Sequence, residues 1–361
     1  MYIYEYKDWP KLTWDHTKIA DILVEVRYLQ GRLLGRMTTL GFPLCEEATL
    51  QALTQDVLKT SEIEGEMLNT DQVRSSIAKR LGVDLGATLP VDRNVEGIVE
   101  VLLDATRSYD KSLTEERLFG WHAALFPTGR SGIQRTEESG PMQVISGPYG
   151  REKVHYEAPA YNRLEGEMKL FIKWFNSASK TDLVIKAALA HFWFVTIHPF
   201  DDGNGRIGRA ISDMMLARSE KSPQRFYSMS AQIQRERNAY YDVLERCQKG
   251  SLDITAWIEW FLHCLKRAIA ASEEILQTVF VKARFWNLHV GAAFNERQKT
   301  IINRLLDGFE GKLNSSKWAK ITKCSQDTAL RDINDLLERK ILKKEQGGGR
   351  STSYSLFISS D

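Results

Sequence analysis

The most informative segment of the chain is His198-Pro199-Phe200-Asp201-Asp202-Gly203-Asn204-Gly205-Arg206-Ile207-Gly208-Arg209. It follows an apolar stretch, residues 183–197, whose helical hydrogen bonding cannot continue through Pro199. Gly203-Asn204-Gly205 tolerates the positive φ angles at which successive backbone N–H groups converge on an anion. A helix that begins near Arg206 would add the positive end of its dipole at the same point. The segment therefore predicts an anion site between two helices.

The side chains of this segment suit the transfer of a phosphate-containing group. Arg206 and Arg209 are three residues apart, so they share one helix face and can both reach a polyphosphate. The Asp202 carboxylate is a ligand type that Mg²⁺ prefers beside phosphate oxygens. His198 is a base near neutral pH that could take the proton of an attacking hydroxyl. Together these residues predict a Mg²⁺-dependent transfer reaction.

Composition limits the remaining possibilities. The chain has 361 residues, of which 43% are hydrophobic and 27% charged, so it can form sizeable cores in two or three domains. Its 49 Lys and Arg nearly balance its 47 Asp and Glu, which gives no general signal for nucleic acid or an acidic membrane. The four cysteines form no CxxC pair, which argues against a disulfide scaffold or a structural zinc site. With no signal-peptide layout at the first residues, we expect a cytoplasmic protein.

Helical periodicity dominates the chain, and strand patterns are few. We expect a mainly α protein with an N-terminal helical region over 1–86, a large helical core over 87–285 and a helix-plus-hairpin domain over 290–361. A short hairpin is expected at 142–145, and a second strand pair at 341–345 and 353–357 flanks Gly347-Gly348-Gly349. Helices are expected at 19–34, 48–63, 95–105, 164–175 and 183–197, with two more across 231–265 separated at Gly250.

The segment 198–209 matches, at every defined position, the HxFx(D/E)GNGRxxR motif of the Fic (filamentation induced by cAMP) family. The chain therefore resembles a Fic protein adenylyltransferase. The resemblance implies a helical Fic-fold core that moves AMP from Mg-ATP to a Tyr, Thr or Ser hydroxyl of a target protein. It implies that His198 is the general base, that Phe200 anchors the loop and that Asp202 binds Mg²⁺. By the same resemblance the nucleotide phosphates would contact Gly203, Asn204, Gly205, Arg206, Ile207, Gly208 and Arg209.

Two further stretches resemble nucleotide-binding parts of the family. Residues 143–147 fall where Fic proteins carry the flap, a hairpin that pairs with the target segment by strand addition. The stretch from Tyr240 to Gly250 resembles the one that lines the adenosine pocket. The expected nucleotide contacts are Val144, Ile145, Ser146 and Gly147 in the flap, and Tyr240, Tyr241 and Gln248 in the pocket.

Thr60-Ser61-Glu62-Ile63-Glu64-Gly65 fits the family's inhibitory pattern [ST]xxxE[GN], here ahead of the core as in the class with an N-terminal inhibitory helix. The resemblance implies that Glu64 pairs with Arg209 and occupies the guanidinium that should bind the γ-phosphate. We therefore expect the wild-type protein to be mostly repressed. Relatives of this class can also remove AMP from targets or modify themselves, and the sequence leaves both open.

The last domain resembles a winged helix, with helices expected at 295–306, from 315 or 316, and at 325–340 before the glycine-turned wing. Such folds often bind DNA through the third helix. That helix carries four acids, which would repel phosphates, so dimerisation or target docking is favoured over DNA binding. A homodimer is expected from the resemblance. The acids of the third helix are Asp327, Asp332, Asp335 and Glu338.

Two alternative functions remain at this point. The first is a transcriptional regulator in which nucleotide binding gates the winged helix. The second keeps the fold but changes the donor, since some Fic relatives move UMP, phosphocholine or phosphate. Asp202, the two arginines and the tyrosine pair favour ATP.

Overall fold

The computed structural model describes residues 1–38, 42–83, 85, 90–127, 132, 134–146, 151, 153–309, 311–345 and 352–357. Over these residues the chain forms fourteen α-helices and two antiparallel β-hairpins, so the mainly α fold class is confirmed. The chain divides into two compact units, Met1–Glu273 and Glu274–Asp361. Among the helices in the described ranges, none has the length and apolar character needed to cross a membrane.

The first unit contains one hairpin and ten complete helices, and an eleventh helix begins in it. The hairpin consists of β1 (Gln143–Ser146) and β2 (Lys153–Glu157), with an irregular register between Val144 and Ile145. The helices are α1 (His16–Thr38), α2 (Phe42–Ile63), α3 (Thr70–Leu81), α4 (Arg93–Arg107), α5 (Glu115–Leu125), α6 (Leu164–Asn176), α7 (Leu183–Ile197), α8 (Asn204–Glu220), α9 (Met229–Arg235), α10 (Arg237–Gln248) and α11 (Thr255–Leu288), the last of which spans the unit boundary.

The expected single helix between Ala231 and Gly250 is wrong. The helix is interrupted at Glu236, whose φ of −110° and ψ of 25° are not helical, and this residue separates α9 from α10. Its carboxylate accepts a hydrogen bond from Arg267 Nε of α11 (2.6 Å), which holds the break in place. The sequence pattern also missed α3 and α5, which are short.

The pair α7 and α8 forms the centre of the first unit. Every residue of α7 from Val184 to Ile197 is buried, as its largely apolar sequence predicts, and the burial includes Lys186 and His191. The two helices approach closely at Gly208, where an added Cβ would lie 2.8 Å from Val195 Cγ1. The loop between these helices, residues 198–203, is therefore held on both sides by core helices.

The second unit has the element order expected for the C-terminal region. Its own helices α12 (Glu296–Leu306), α13 (Ser315–Thr322) and α14 (Gln326–Glu338) precede the hairpin of β3 (Leu342–Lys344) and β4 (Tyr354–Leu356), which pairs Leu342 with Leu356. Trp318 of α13 is fully buried in a core shared by all these elements. The glycine run of the expected wing lies outside the described residues, and the winged-helix assignment stays a prediction.

Candidate active site

His198 occupies a left-handed backbone conformation at the end of α7, with φ 52° and ψ 60°. Its Nδ1 lies 3.1 Å from the carbonyl oxygen of Val195. Because a carbonyl oxygen can only accept, a hydrogen bond between the two requires the proton to be on Nδ1. The proton on Nδ1 leaves Nε2 unprotonated and able to accept a proton. Burial lowers the pKa of His198 to about 4, so the imidazole is neutral at physiological pH. The residue expected to be the general base is thus in its basic form.

Arg135 holds the His198 backbone in place, a contact that the sequence did not predict. The Arg135 guanidinium is buried, and its Nε donates to the carbonyl oxygen of His198 (2.9 Å). Its Nη2 donates to the carbonyl oxygen of Pro159, and its backbone N–H to that of Pro199 (2.9 Å). These bonds offset the cost of a left-handed conformation at a non-glycine residue. Arg135 is 63 residues from His198 in the chain, so no local pattern pointed to it.

Phe200 and Asn204 fix the rest of the loop. Phe200 is fully buried and stacks on His122, with ring centroids 4.3 Å apart. The Asn204 side chain bonds both backbone groups of Phe200, accepting from its N–H (3.0 Å) and donating to its carbonyl (2.7 Å). These two bonds hold Asn204 at the first position of α8, where backbone N–H groups have no acceptor within the helix.

The anion nest is at the start of α8. Gly203 has φ 81°, and an added Cβ there would lie 2.8 Å from Phe126 Cε2. A Cβ on Gly205 would lie 2.3 Å from Oε1 of Glu64 and 3.2 Å from Nη1 of Arg209. Only glycine lets a carboxylate approach the backbone this closely. A negatively charged group from the chain itself therefore lies against the nest that the sequence assigned to phosphate.

Glu64 and Thr60 together bind the guanidinium of Arg209. Arg209 is 3% exposed; its Nη2 donates to Glu64 Oε1 (2.7 Å) and to the Thr60 carbonyl (3.0 Å), and its Nε donates to Thr60 Oγ1 (2.7 Å). Burial disfavours the charge of Arg209, but Glu64 raises its pKa above the usual value. Helix α2 ends at Ile63, and the turn that follows presents Glu64 to α8. The expected pairing of these two residues is thus present.

Arg206 is also paired with an acid, which the sequence did not predict. Arg206 is 5% exposed, and its Nη1 lies 2.9 Å from Oε2 of Glu66. Glu66 is only two residues after Glu64, so both arginines of the motif contact one short segment. Among the described residues, Arg206 Nε and Arg209 Nη1 are buried without a hydrogen-bond partner. Each guanidinium therefore keeps one buried N–H donor that no acceptor among the described residues satisfies.

Asp202 is the residue placed to hold a cation. Its side chain is 75% exposed, Oδ1 accepts from the Gly203 N–H (2.6 Å), and Oδ2 is 4.0 Å from Arg206 Nη2. No group of three His, Cys, Asp or Glu side chains suited to a metal occurs in the part of the chain that the structure describes. One exposed carboxylate beside a phosphate nest fits Mg²⁺, which takes one or two carboxylates plus substrate phosphates.

The hairpin β1–β2 is tied to two helices near the nest. The buried Tyr156 of β2 donates its hydroxyl to the Thr196 carbonyl of α7 (2.6 Å). Ser146 Oγ lies 2.6 Å from His155 Nε2, and His155 Nδ1 lies 2.6 Å from Glu245 Oε2 of α10. In the expected flap, Val144 is half-buried, Ile145 and Ser146 are exposed, and Gly147 lies outside the described residues.

The expected adenosine pocket is only partly exposed. Tyr240 is buried, and its hydroxyl lies 2.9 Å from His191 Nε2. Gln248 is buried, with its Nε2 donating to Thr196 Oγ1 (3.3 Å). Tyr241 is 37% exposed, so its ring is the available surface of the three.

Two family models match parts of this chain. Residues 112–216 match the model of the Fic/DOC family, and residues 2–83 match that of a domain of unknown function, DUF4172. Residues 112–216 thus form a Fic domain. The matched range of this Fic domain contains the hairpin, α7, the 198–203 loop and the motif arginines. Glu64 and Glu66 lie in the DUF4172 match.

Curated proteins from two insects are similar to this chain. The chain is 28% identical over 231 residues to "Protein adenylyltransferase Fic" of Aedes aegypti, which covers 62% of this chain and 42% of that protein. It is 26% identical over 264 residues to the protein of the same name from Culex quinquefasciatus, covering 70% and 48%. The chain thus spans less than half the length of these two curated relatives.

Solved structures of Fic proteins have a fold similar to that of this chain. A Fic family protein from Desulfovibrio desulfuricans G20 has a TM-score of 0.52 at 20% identity, over 95% of this chain and 97% of that one. A Fic-domain-containing signaling protein from Bacteroides thetaiotaomicron VPI-5482 has a TM-score of 0.54 at 17% identity, over 70% and 98%. These similarities show that the helical Fic fold is shared.

Proposed function

We propose that the Fic domain of this chain transfers AMP from Mg-ATP to a hydroxyl group of a target protein, and that Glu64 restrains the reaction. One observation supports the reaction class above all. The neutral His198, the Gly203–Gly205 nest and the two buried arginines meet at a single junction between loop and helix. The names of the curated relatives support AMP as the transferred group.

In the proposed reaction the target hydroxyl gives its proton to His198 Nε2. The hydroxyl oxygen then bonds to the α-phosphorus as the bond from that phosphorus to the pyrophosphate oxygen breaks. Arg206 and Arg209 stabilise the charge that develops on the leaving pyrophosphate. A Mg²⁺ ion beside Asp202 would neutralise phosphate charge when bound. Arg135 keeps the imidazole where the hydroxyl must arrive.

The hairpin is proposed to bind the target segment, and the residues of α10 are proposed to bind the adenine base. Strand β1 has β2 on one side, and an extended target segment would pair along its other side. The exposed ring of Tyr241 would stack on adenine, and the buried Tyr240 and Gln248 would support the pocket from within the protein.

We propose that two carboxylates restrain AMP transfer by occupying the positions expected for the nucleotide phosphates. Glu64 holds Arg209 and lies against Gly205, and Glu66 holds Arg206. A bound triphosphate needs the same guanidinium groups, so it must displace these acids. Glu64 dominates, because its partner contact is the more buried of the two.

The reaction is tested with ATP labelled separately at the α- and γ-phosphates, using the Glu64→Gly variant and a cell lysate as the source of targets. We expect the α-label, not the γ-label, on protein, and an intact-mass increase of one AMP. Competition by unlabelled ATP but not by UTP or CDP-choline supports ATP as the donor. Transfer of the γ-label, or labelling that survives His198→Ala, would contradict the proposal.

A further inference from the structure

The β1–β2 hairpin and α10 bring together a row of three hydrogen-bonded side chains that lies outside the 198–209 motif. Ser146 Oγ lies 2.6 Å from Nε2 of His155, and Nδ1 of the same imidazole lies 2.6 Å from Oε2 of Glu245 on α10. Both distances are within hydrogen-bond reach. A hydroxyl, an imidazole and a carboxylate joined in this order form the arrangement that activates a serine for nucleophilic attack.

A β-bulge in β2 brings His155 to the end of β1. Val154 and Tyr156 of β2 are opposite consecutive residues of β1, so His155 between them is the extra residue of the bulge. A bulge of this kind changes the direction of a side chain relative to the regular alternation of the strand. The imidazole therefore contacts both Ser146 and helix α10.

The carboxylate of Glu245 determines which nitrogen of the neutral His155 ring carries the proton. An ionised carboxylate only accepts, so its bond with Nδ1 requires the proton to be on Nδ1. Nε2 then has a free lone pair that can accept the hydroxyl proton of Ser146. Hydrogen bonds from Lys249 and His155 lower the pKa of Glu245 to about 2, so the carboxylate is ionised at neutral pH. The base is thus oriented by a charged group.

The exposure of the row suits a nucleophile that meets its substrate at the surface. Ser146 is exposed, whereas the side chains of His155 and Glu245 are 26% and 24% exposed. Lys153 is opposite Ser146 in the register, so the two share one face of the hairpin, and Lys153 is exposed as well. An ammonium group at this position can stabilise the negative charge that develops on an attacked carbonyl oxygen.

We propose that Ser146 is a nucleophilic serine that cleaves activated carboxylic esters, with His155 as its base and Glu245 as the residue that orients this base. The Ser146 oxygen bonds to the ester carbonyl carbon as the hydroxyl proton passes to His155 Nε2. The bond from that carbon to the leaving oxygen then breaks, and the leaving oxygen takes the proton from His155. Water attacks the acyl-serine by the same steps, which releases the carboxylic acid and restores the serine.

The test treats the full-length protein with a biotin-linked fluorophosphonate, whose fluoride is replaced on phosphorus by the oxygen of an activated serine. Peptide mass spectrometry then locates the adduct. We expect it on Ser146 of the folded wild-type protein and not on Ser146 of urea-unfolded protein. The labelled protein should also lose its ability to hydrolyse p-nitrophenyl acetate. Neither assay contains a nucleotide, so the result does not depend on the proposed AMP transfer.

Variants of the row separate activation of the serine from a purely structural role. His155→Gln should slow labelling by about a hundredfold or more, because the base is lost. Glu245→Asp, which keeps the carboxylate, should label faster than Glu245→Gln, which keeps the size but not the charge. Ser146→Ala should lose ester hydrolysis. Ser179→Ala is the matched control, because Ser179 is exposed and accepts a hydrogen bond from the Thr181 backbone N–H, and it should hydrolyse the ester like wild type.

Equal thermal midpoints show that the variants are folded, and where a midpoint is lowered the rates are compared at a temperature below both midpoints. The absence of an adduct on Ser146 of the wild-type protein would overturn the proposal without any variant. Equal labelling rates for wild type and His155→Gln, or equal hydrolysis by Ser146→Ala and Ser179→Ala, would overturn it as well. Equal labelling of Glu245→Asp and Glu245→Gln would overturn the role of Glu245.

Discussion

Oε1 of Glu64 lies 2.7 Å from Nη2 of Arg209, although 145 residues separate the two in the chain. The contact brings the end of α2 onto the first turns of α8 and places a carboxylate against Gly205. A charge-assisted bond to a buried guanidinium is strong, and a phosphate needs the same donors. In the proposed function, restraint and phosphate binding therefore compete for one arginine.

Removing the charge of Glu66 should activate the protein partly. In Glu66→Gln, Arg206 loses its carboxylate partner, but Glu64 still holds Arg209. We expect the initial rate of AMP transfer to rise severalfold, less than in Glu64→Gly, because the Glu66 side chain is 49% exposed and its pair is screened by solvent. Equal rates for Glu66→Gln and wild type would show that this pair does not restrain the site.

Arg135 should affect catalysis more than nucleotide binding. Arg135→Lys keeps the charge but loses the fork that bonds the His198 and Pro159 carbonyls. In a Glu64→Gly background we expect kcat to fall by roughly tenfold or more while KM for ATP changes little. A rise in KM with unchanged kcat would mean that Arg135 supports the nucleotide pocket instead of the base.

The pKa of His198 predicts the pH dependence of both rate and stability. Because burial lowers this pKa to about 4, the imidazole stays a base down to that pH, and the acid limb of kcat/KM should have its midpoint near 4. An unfolded histidine has a pKa of about 6.5, so the unfolded state binds the extra proton between these values.

The free energy of unfolding should therefore decrease as the pH falls from about 6.5 towards 4. Urea titrations at several pH values test this, with His198→Ala as the comparison. The variant should show a weaker pH dependence than wild type. An acid limb near 6.5, or an unchanged pH dependence in His198→Ala, would show that the imidazole is not held neutral by burial.

Phe200 should contribute mainly to stability. It is fully buried and stacked on His122 at the base of the loop. Phe200→Ala leaves a cavity and should lower the free energy of unfolding by about 3–5 kcal/mol. Phe200→Leu, which keeps most of the volume, should cost much less. A small loss for Phe200→Ala in urea unfolding would show that the loop does not depend on this ring.

The sequence predicted the centre of the site because its signals are local. An apolar run that meets Pro199, a glycine nest and two arginines at helical spacing are all contained in residues 183–209, and α7 and α8 follow them. Glu66 and Arg135 were missed because their partners are distant in the chain, at separations of 140 and 63 residues. The periodicity of the sequence predicts single helices and strands, and it does not predict a contact between residues so far apart in the chain.

The same limit applies to the charges of α14. Asp332 reads as an exposed acid in sequence, since its neutralising partner Arg297 is 35 residues away on another helix. The break at Glu236 likewise depends on Arg267 of α11. Local propensity predicts which elements form, and tertiary ion pairs then determine where helices break and which charges face solvent.

The relationship between Glu64 and Arg209 is tested by the initial rate of α-labelled AMP transfer at saturating Mg-ATP in four proteins: wild type, Glu64→Gly, Glu62→Gly and Glu64→Gly/His198→Ala. Glu62 is the matched control, because it is on the same helix end but pairs with Lys59 and Gln234. We predict a rise of roughly tenfold or more in Glu64→Gly alone, and no transfer in the double variant. Equal rates for wild type, Glu64→Gly and Glu62→Gly would contradict the proposed restraint.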